Sequence, residues 1–173
     1  MPNYFKRDGL SFSLALFKDL KNAIDVKRMV MNGEFEATLL NTKMIPDPFI
    51  VITAANRAAY NQRYGKMVTK NVHSEVLFCL SPTKNITDSF KKFGMPDSAD
   101  SVFVVLVNDR DNKVMEQLTK VIDGTEVDTG DVTQFTDESL IKKVYKVSDE
   151  ELNCGSLTDA LVSKIASKEF VTV

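Results

Sequence analysis

The 173-residue sequence lacks the features that several protein classes require. No stretch approaches the roughly 18 consecutive apolar residues of a membrane span, so we expect no membrane partner. The apolar core of the N-terminal region, Leu14–Phe17, is too short for a signal sequence. Five prolines and seven glycines leave little room for a disordered linker. These absences predict one domain over residues 1–173, which is long enough to bury a core.

Cysteine and histidine are scarce as well. Cys79 and Cys154 form no C-x-x-C pair, and the single histidine, His73, has no second ligand near it in the sequence. The sequence therefore predicts no metal site and no cofactor. Two widely spaced cysteines suit a reducing compartment, so we expect a cytoplasmic and nuclear protein.

Catalytic and phosphate-binding motifs are missing too. Neither G-x-G-x-x-G nor G-x-S-x-G occurs, and Gly65-Lys66 lacks the flanking residues of a phosphate-binding loop. A turn over Ser81–Thr87 precedes a predicted helix, where its groups could hold an anion or act as ordinary caps. The sequence thus predicts that the protein is not an enzyme. The alternative is a small-molecule-binding or enzymatic α/β domain that uses the Ser81–Thr87 turn.

Charge is distributed unevenly along the chain. The first 96 residues carry 14 Lys and Arg against eight Asp and Glu, whereas residues 97–151 carry six against 14. No acidic residue occurs from Pro48 to Ser74. This distribution indicates either a polyanion partner or two segments that neutralise each other in the fold. The cations inside the acid-free stretch are Arg57, Arg63, Lys66 and Lys70.

Alternating strand and helix patterns predict an α/β (α+β) fold, with a mixed central β-sheet and helices packed on it. The predicted strands are Ser11–Phe17, Glu75–Leu80, Val102–Val107 and Val144–Val147. The predicted helices are Lys18–Met31, Phe49–Tyr64, a short one that ends at Lys92, Asn112–Val121 and Ser156–Phe170. A short helix or turn is expected over Glu34–Leu40.

The helix predicted over Phe49–Tyr64 has a clear start, because Asp47 suits the N-cap and Pro48 the first helical position. Its first half is apolar almost all round, which indicates a central position. Asn56 and Arg63 are seven residues apart and share one face. Arg57 lies about 100° away from Asn56 around the helix.

The last predicted helix is apolar over an unusually broad arc of roughly 240°. A helix that lies on one sheet needs a stripe of only about 100°. The surplus must be covered either by another element of the fold or by a partner. The residues of the arc are Leu157, Ala160, Leu161, Val162, Ile165 and Ala166.

Several short stretches occur together in a specific order between about residue 14 and residue 166. They are Leu16–Ala23, Asp47–Phe49, Ala54–Ala58, Ser74–Pro82, Asn85-Ile86, Lys91–Gly94, Lys143–Lys146 and Gly155–Ala160. Each stretch is weak by itself, but the series resembles the TPRKB family. The resemblance implies a non-catalytic subunit of the KEOPS (EKC) complex, an assembly that attaches a threonylcarbamoyl group to adenosine in tRNA.

The resemblance implies partners as well. Members of this family place the last helix against the N-lobe of the atypical kinase PRPK and meet the other KEOPS subunits indirectly. The residues implied in kinase binding are Leu157, Ala160, Leu161, Lys164 and Ile165. The resemblance also implies contact with the single-stranded acceptor end of tRNA, where cations meet phosphates and an aromatic ring stacks on a base. The RNA-binding candidates are Asn56, Arg57, Tyr60, Arg63, Lys66 and Lys70.

Overall fold

The computed structural model of the chain describes residues 3–7 and 9–170, apart from the side chains of Phe5 and Arg7. Its strands are β1 (Asn3–Arg7), β2 (Leu10–Lys18), β3 (Thr38–Leu40), β4 (Val102–Val107) and β5 (Thr125–Val127). Its helices are α1 (Ala23–Met31), α2 (Pro48–Arg63), α3 (Val72–Leu80), α4 (Ile86–Phe93), α5 (Lys113–Val121), α6 (Glu138–Tyr145), α7 (Asp149–Cys154) and α8 (Leu157–Ser167). Within these described ranges, no helix has the length and apolar character needed to cross a membrane.

The sheet is centred on β2 and β4, which pair with Leu14 opposite Val105. The strand order is β1-β2-β4-β3, and β5 also pairs with β2. Along the outer edge of β2, β1 covers Leu10–Leu14 and β5 covers Leu16–Lys18. Every described pairing is antiparallel. The predicted architecture of one sheet with helices packed on it is confirmed, and the sheet is antiparallel rather than mixed.

Helices cover both faces of the sheet, which is why β4 is buried along its whole length. Successive strand residues point to opposite faces, so β2 and β4 each supply two sets of core residues. One set comprises Phe12, Leu14, Leu16, Phe103, Val105 and Val107, and it packs against α2, α3, α6 and α8. The other comprises Ala15, Phe17, Val102, Val104 and Leu106, and it packs against α1 and α5.

Helix α2 is the central helix of the first layer. Asp47 Oδ1 accepts a hydrogen bond of 2.8 Å from the backbone N–H of Phe49, and Pro48 is the first helical residue, as predicted. Small side chains on its inner face let neighbouring elements approach closely. The residues of that face are Ile50, Val51, Ala54, Ala55, Ala58 and Ala59, all of them buried.

The segment predicted as a strand over Glu75–Leu80 is helical, and this prediction was wrong. Asn71 caps α3, with its Oδ1 accepting a 2.9 Å hydrogen bond from the N–H of Ser74. An apolar run of six residues has too little periodicity to separate a buried strand from a buried helix. Here α2 and the sheet enclose α3 so fully that even His73 and Glu75 are buried.

Two further segments differ from the prediction. Val144–Val147 is not a strand: α6 extends through Tyr145, and Lys146 takes a left-handed conformation with φ 54°. Thr38–Leu40 forms β3, where a helix or turn was expected, because it pairs with β4. The predicted strands Ser11–Phe17 and Val102–Val107 are confirmed, as are the helix over Asn112–Val121 and the last helix with Ser156 at its N-cap.

Candidate functional site

The outward face of α2 carries most of the predicted RNA-binding residues. Asn56, Tyr60 and Arg63 follow one another at spacings of four and three residues, and all three are exposed. Tyr60 leaves 42% of its surface exposed although it is a large aromatic residue. Arg57 lies on the flank of the same face and is half-buried. The acid-free part of the chain therefore does present its cations to the outside.

Cations and tyrosine rings contact one another on this face. The Arg57 guanidinium carbon lies 5.4 Å from the centroid of the Tyr60 ring, and Lys66 Nζ lies 5.7 Å from the same centroid. The guanidinium carbon of Arg63 lies 5.7 Å from the centroid of Tyr64. The two rings are 4.6 Å apart between centroids, with their planes inclined by 46°. We call this group, Arg57, Tyr60, Arg63, Tyr64 and Lys66, the basic–aromatic surface.

Sequence reasoning missed Tyr64 as part of this surface. Its side chain is 56% exposed, more than that of Tyr60, and it provides the second ring of the pair. The signal was present in the sequence, because Tyr64 follows Tyr60 by four residues and adjoins Arg63. Two neighbouring exposed rings with three cations can take a base on a ring and a phosphate on a cation.

The other two RNA-binding candidates lie at the margins. Asn56 is exposed one turn before Tyr60, and Lys70 is exposed in the connection between α2 and α3. Among the described residues, the cations that lie over Tyr60 and Tyr64 are Arg57, Arg63 and Lys66. The structure thus brings Arg57, Tyr60 and Lys66 together and leaves Asn56 and Lys70 as outlying groups.

A carboxylate from the end of the chain touches this surface. Glu169, two residues beyond α8, forms an ion pair with Arg57. The hydrogen bond from Arg57 lowers the pKa of Glu169, and the charges of Lys66 and Lys84 act in the same direction. Glu169 therefore partly neutralises one of the cations of the basic–aromatic surface.

Helix α8 turns most of its apolar arc into the protein. Leu161 is 0% exposed and Ile165 is 4% exposed, and both belong to the core cluster that includes α2. The implied role of these two side chains as kinase anchors stays a prediction, and in this chain the fold already covers almost all of their surface. Their burial stabilises the attachment of α8 to α2.

The remaining kinase-binding candidates lie along one edge of α8. Leu157, Ala160 and Lys164 are half-buried, so each still offers part of its side chain to the outside. Lys164 Nζ forms an ion pair of 3.2 Å with Glu151 of α7. A capping box at Ser156 and Asp159 fixes the start of the helix directly before this edge. This edge is held rigidly and is partly uncovered.

The C-terminal end of α8 is anchored by a buried cation. Lys168 is 7% exposed, donates a hydrogen bond to the carbonyl oxygen of Phe78, and places Nζ 3.5 Å from the centroid of the Phe78 ring. Burial disfavours the charged ammonium and lowers the pKa of Lys168 to about 8. The contact fastens the end of α8 to α3.

His73 and Cys79, two of the residues considered for catalysis, are buried in the fold. His73 Nε2 accepts a hydrogen bond of 3.3 Å from the N–H of Val107, and burial lowers the pKa of His73 to about 4. Cys79 is buried, and burial raises the pKa of its thiol to about 12. Cys154 is a free and exposed thiol. In the described part of the chain, no cluster of three or more His, Cys, Asp or Glu could hold a metal ion.

The polar groups of the Ser81–Thr87 turn form hydrogen bonds mainly with one another and with the start of α4. Ser81 Oγ accepts a 3.2 Å hydrogen bond from the N–H of Thr83, and Asn85 Oδ1 accepts one of 3.0 Å from Asp88 as the cap of α4. A cavity of about 720 Å³ lies elsewhere, between α1, β3, α3 and α4. The caps of the turn thus serve the fold, and the Asp88 carboxylate makes the turn a poor place for an anion.

Comparison with known proteins agrees with the series of stretches noted in the sequence. The family described as kinase binding protein CGI-121 matches residues 17–169. The chain is similar to the EKC/KEOPS complex subunit TPRKB of Danio rerio, with 41% identity over 155 residues that make up 89% of each chain. It is also similar to the EKC/KEOPS complex subunit CGI121 of Yarrowia lipolytica, with 34% identity over 147 residues that make up 83% of each chain.

Proposed function

The chain belongs to the CGI-121 family of kinase binding proteins, and from that membership we propose that it is a non-catalytic subunit of a KEOPS (EKC) complex. The proposed partner is a PRPK-type atypical kinase, through which the chain meets the other KEOPS subunits. The observation that carries this proposal is the family match over residues 17–169, together with relatives that are named as EKC/KEOPS subunits. The proposed place of action is the cytoplasm and the nucleus, which fractionation of cells would test.

The proposed kinase-binding region is the half-buried edge of α8 formed by Leu157, Ala160 and Lys164. Leu161 and Ile165 support that edge from behind, because they fix α8 on α2. An apolar pair with a cation beside it can form the centre and rim of a small interface. The ammonium of Lys164 pairs with Glu151, and a lysine stem at such a position can cover apolar surface of a partner.

Calorimetric titration of the chain into purified PRPK tests this region. Ala160→Glu places a charge on the proposed edge, and we expect the affinity to fall about 30-fold, the size of a hot-spot loss. Ala166→Glu is the matched control, because Ala166 is an exposed alanine elsewhere on α8. Equal affinity of the wild type and Ala160→Glu for PRPK would contradict kinase binding at this edge of α8. Absence of binding by the wild type would contradict the kinase partnership itself.

We further propose that the basic–aromatic surface binds single-stranded RNA and helps to recruit tRNA for threonylcarbamoyl modification. Support comes from the paired rings of Tyr60 and Tyr64 with Arg57, Arg63 and Lys66 around them. Stacking on aromatic rings tolerates any base, and cations add a salt-dependent attraction to phosphates. The proposed modification chemistry belongs to another subunit of the complex.

Titration with a short single-stranded RNA tests the RNA-binding part. Tyr64→Ala removes the ring that has the larger exposure, and we expect a loss of about 1–3 kcal/mol, as for other stacking contacts. Lys66→Glu combined with Lys70→Glu should also flatten the salt dependence of binding. The control is Lys113→Glu with Lys120→Glu, two exposed lysines of α5. An unchanged salt slope in the variant with Lys66→Glu and Lys70→Glu would contradict RNA binding at the basic–aromatic surface.

A further inference from the structure

A buried carboxylate lies beneath the basic–aromatic surface. Glu75 of α3 is 0% exposed, yet no Lys or Arg forms an ion pair with it in the described structure. Its two oxygens accept hydrogen bonds from the connection between α2 and α3 and from α2 itself. The donors are the N–H of Val68 at 3.2 Å, the N–H and Oγ1 of Thr69 at 2.9 Å and 2.7 Å, and Asn61 Nδ2 at 3.1 Å.

These contacts replace the water that a carboxylate would otherwise keep. Burial of a carboxylate is costly unless hydrogen-bond donors surround it. Hydrogen bonds to a charged acceptor are also stronger than neutral ones, which makes this group a firm attachment point. Val68 and Thr69 are therefore fixed to α3, although Val68 itself is exposed and both residues lie outside any helix or strand.

A second contact carries this attachment to the basic–aromatic surface. Asn61, whose side chain donates to Glu75, accepts a 2.8 Å hydrogen bond at its backbone carbonyl from the N–H of Lys66. Lys66 lies in the connection between α2 and α3, two residues before Val68, and its ammonium lies 5.7 Å from the centroid of the Tyr60 ring. Lys66 is thus held on one side by α2, through the carbonyl of Asn61, and on the other side by Glu75, through Val68 and Thr69.

We propose that Glu75 is a positioning residue for RNA binding, which fixes the 66–69 segment so that Lys66 stands beside Tyr60. This inference rests on the proposed RNA-binding function and adds the element that orders its surface. The carboxylate acts through hydrogen-bond geometry and touches no RNA.

The acceptor role predicts which substitution restores function. Asn61 Oδ1 is buried and has no hydrogen-bond partner among the described residues. In Glu75→Gln, the new amide can donate to Asn61 Oδ1 after the Asn61 amide turns over, while the remaining oxygen still accepts from Val68 and Thr69. Glu75→Gln should therefore keep the 66–69 segment ordered, whereas Glu75→Ala releases it.

The experiment measures RNA affinity against salt concentration and amide hydrogen exchange of residues 66–69 in the full chain. For Glu75→Ala, we expect faster exchange of Val68 and Thr69, a salt slope smaller by about 0.7, and about fivefold weaker binding at 0.1 M salt, the loss of one phosphate contact. Thr69→Val removes the hydroxyl that donates to Glu75 and lies 3.1 Å from the carbonyl oxygen of Asn71, and it should shift both readouts in the same direction. Glu75→Gln should match the wild type.

A matched control comes from another buried carboxylate. Asp109 is 5% exposed and accepts backbone hydrogen bonds of 3.0 Å and 2.9 Å from Val114 and Met115 at the start of α5. Asp109→Ala removes the same kind of group from a different loop and should leave RNA affinity unchanged. This comparison separates loop positioning from general destabilisation.

The outcomes distinguish the two proposals. No RNA binding by the wild type would overturn the proposed RNA-binding function and this inference with it. Binding that is unchanged in Glu75→Ala and Thr69→Val would overturn the inference alone. Stronger binding by Glu75→Gln, without a change in amide exchange, would show an electrostatic role for Glu75 and would also overturn the inference. Should Glu75→Ala fail to fold, Thr69→Val and Glu75→Gln decide the matter.

Discussion

Helices α2 and α8 pack against each other but use their side chains in opposite ways. On α2, the alanines and branched residues face the core and the cations and tyrosines face outward. On α8, Leu161 and Ile165 are hidden, and the outermost positions are small or polar. The exposed face of α2 therefore combines cations with aromatic rings, which is unusual for a protein surface. The exposed face of α8 carries only small or polar side chains.

The difference shows how far a residue type determines its surroundings. A cluster of cations has almost no alternative to the surface, because an unpaired buried charge is too costly. An apolar side chain can be covered by its own chain or by a partner, and either burial is favourable by about 25 cal/mol of free energy per Å² of apolar surface. Exposure of the basic–aromatic surface could thus be predicted, and the covering of α8 could not.

The strongest test of this contrast is truncation of Leu161. Because Leu161 is 0% exposed, Leu161→Ala should lower the free energy of unfolding by about 3 kcal/mol. Leu157 is half-buried on the same helix, so Leu157→Ala should cost less than about 1 kcal/mol. Urea denaturation of the two variants measures the difference. Similar losses in both would mean that α8 packs less tightly than described.

A pH series sharpens the comparison at the end of α8. Burial lowers the pKa of Lys168 to about 8, whereas an unfolded lysine titrates near 10.4. Between these values the unfolded state binds more protons, so the contribution of Lys168 to stability rises with pH. Relative to Lys168→Met, the wild type should gain about 1 kcal/mol between pH 7 and pH 9.

Thermal or urea unfolding of the wild type and Lys168→Met between pH 6 and pH 9 measures the difference in their free energies of unfolding. The difference between them should stay constant from pH 6 to pH 7, which serves as the internal control. A constant difference up to pH 9 would mean that Lys168 is solvated in solution and does not fasten α8 to α3.

The smallest effect concerns the ion pair that joins the two helices. Glu169→Gln releases the Arg57 guanidinium, so RNA binding should strengthen about fivefold at 0.1 M salt as one more phosphate contact forms. Stability should change by less than about 1 kcal/mol, because both side chains are partly exposed.

Glu151→Gln is the matched control, since it breaks the Lys164 ion pair of α8 away from the basic–aromatic surface. It should leave RNA affinity unaltered, as measured by the same titration. Weaker binding by Glu169→Gln would mean that Glu169 orients Arg57 for RNA rather than competing with it.

Long or well-capped elements of the fold could be predicted from the sequence. Asp47-Pro48 marked the start of α2, and the run of apolar residues Val102–Val107 marked β4. The segments that were wrong are short and depend on distant neighbours. Thr38–Leu40 becomes a strand only because β4 pairs with it. The apolar run in α3 is too short for its periodicity to separate a buried helix from a buried strand.

The sequence predicts a surface of cations and an aromatic ring, but it does not reveal all the residues that form or support that surface. The acid-free stretch marks the cations, whereas Tyr64 joins the surface through its packing against Tyr60, with 4.6 Å between the two ring centroids. Glu75 could not be found at all. Its role depends on residues 61, 68 and 69 converging on one carboxylate, and no local pattern in the sequence records that convergence.

The inward-facing residues of α8 have a consequence for synthesis of the chain on the ribosome. Strand β2 must wait for β4, which is made about 90 residues later, and the core under α2 stays open until Leu161 and Ile165 emerge. A nascent chain that stalls before α8 therefore displays uncovered apolar surface, the signal on which chaperones and proteases act. Docking of α8 is therefore the step that closes the core under α2.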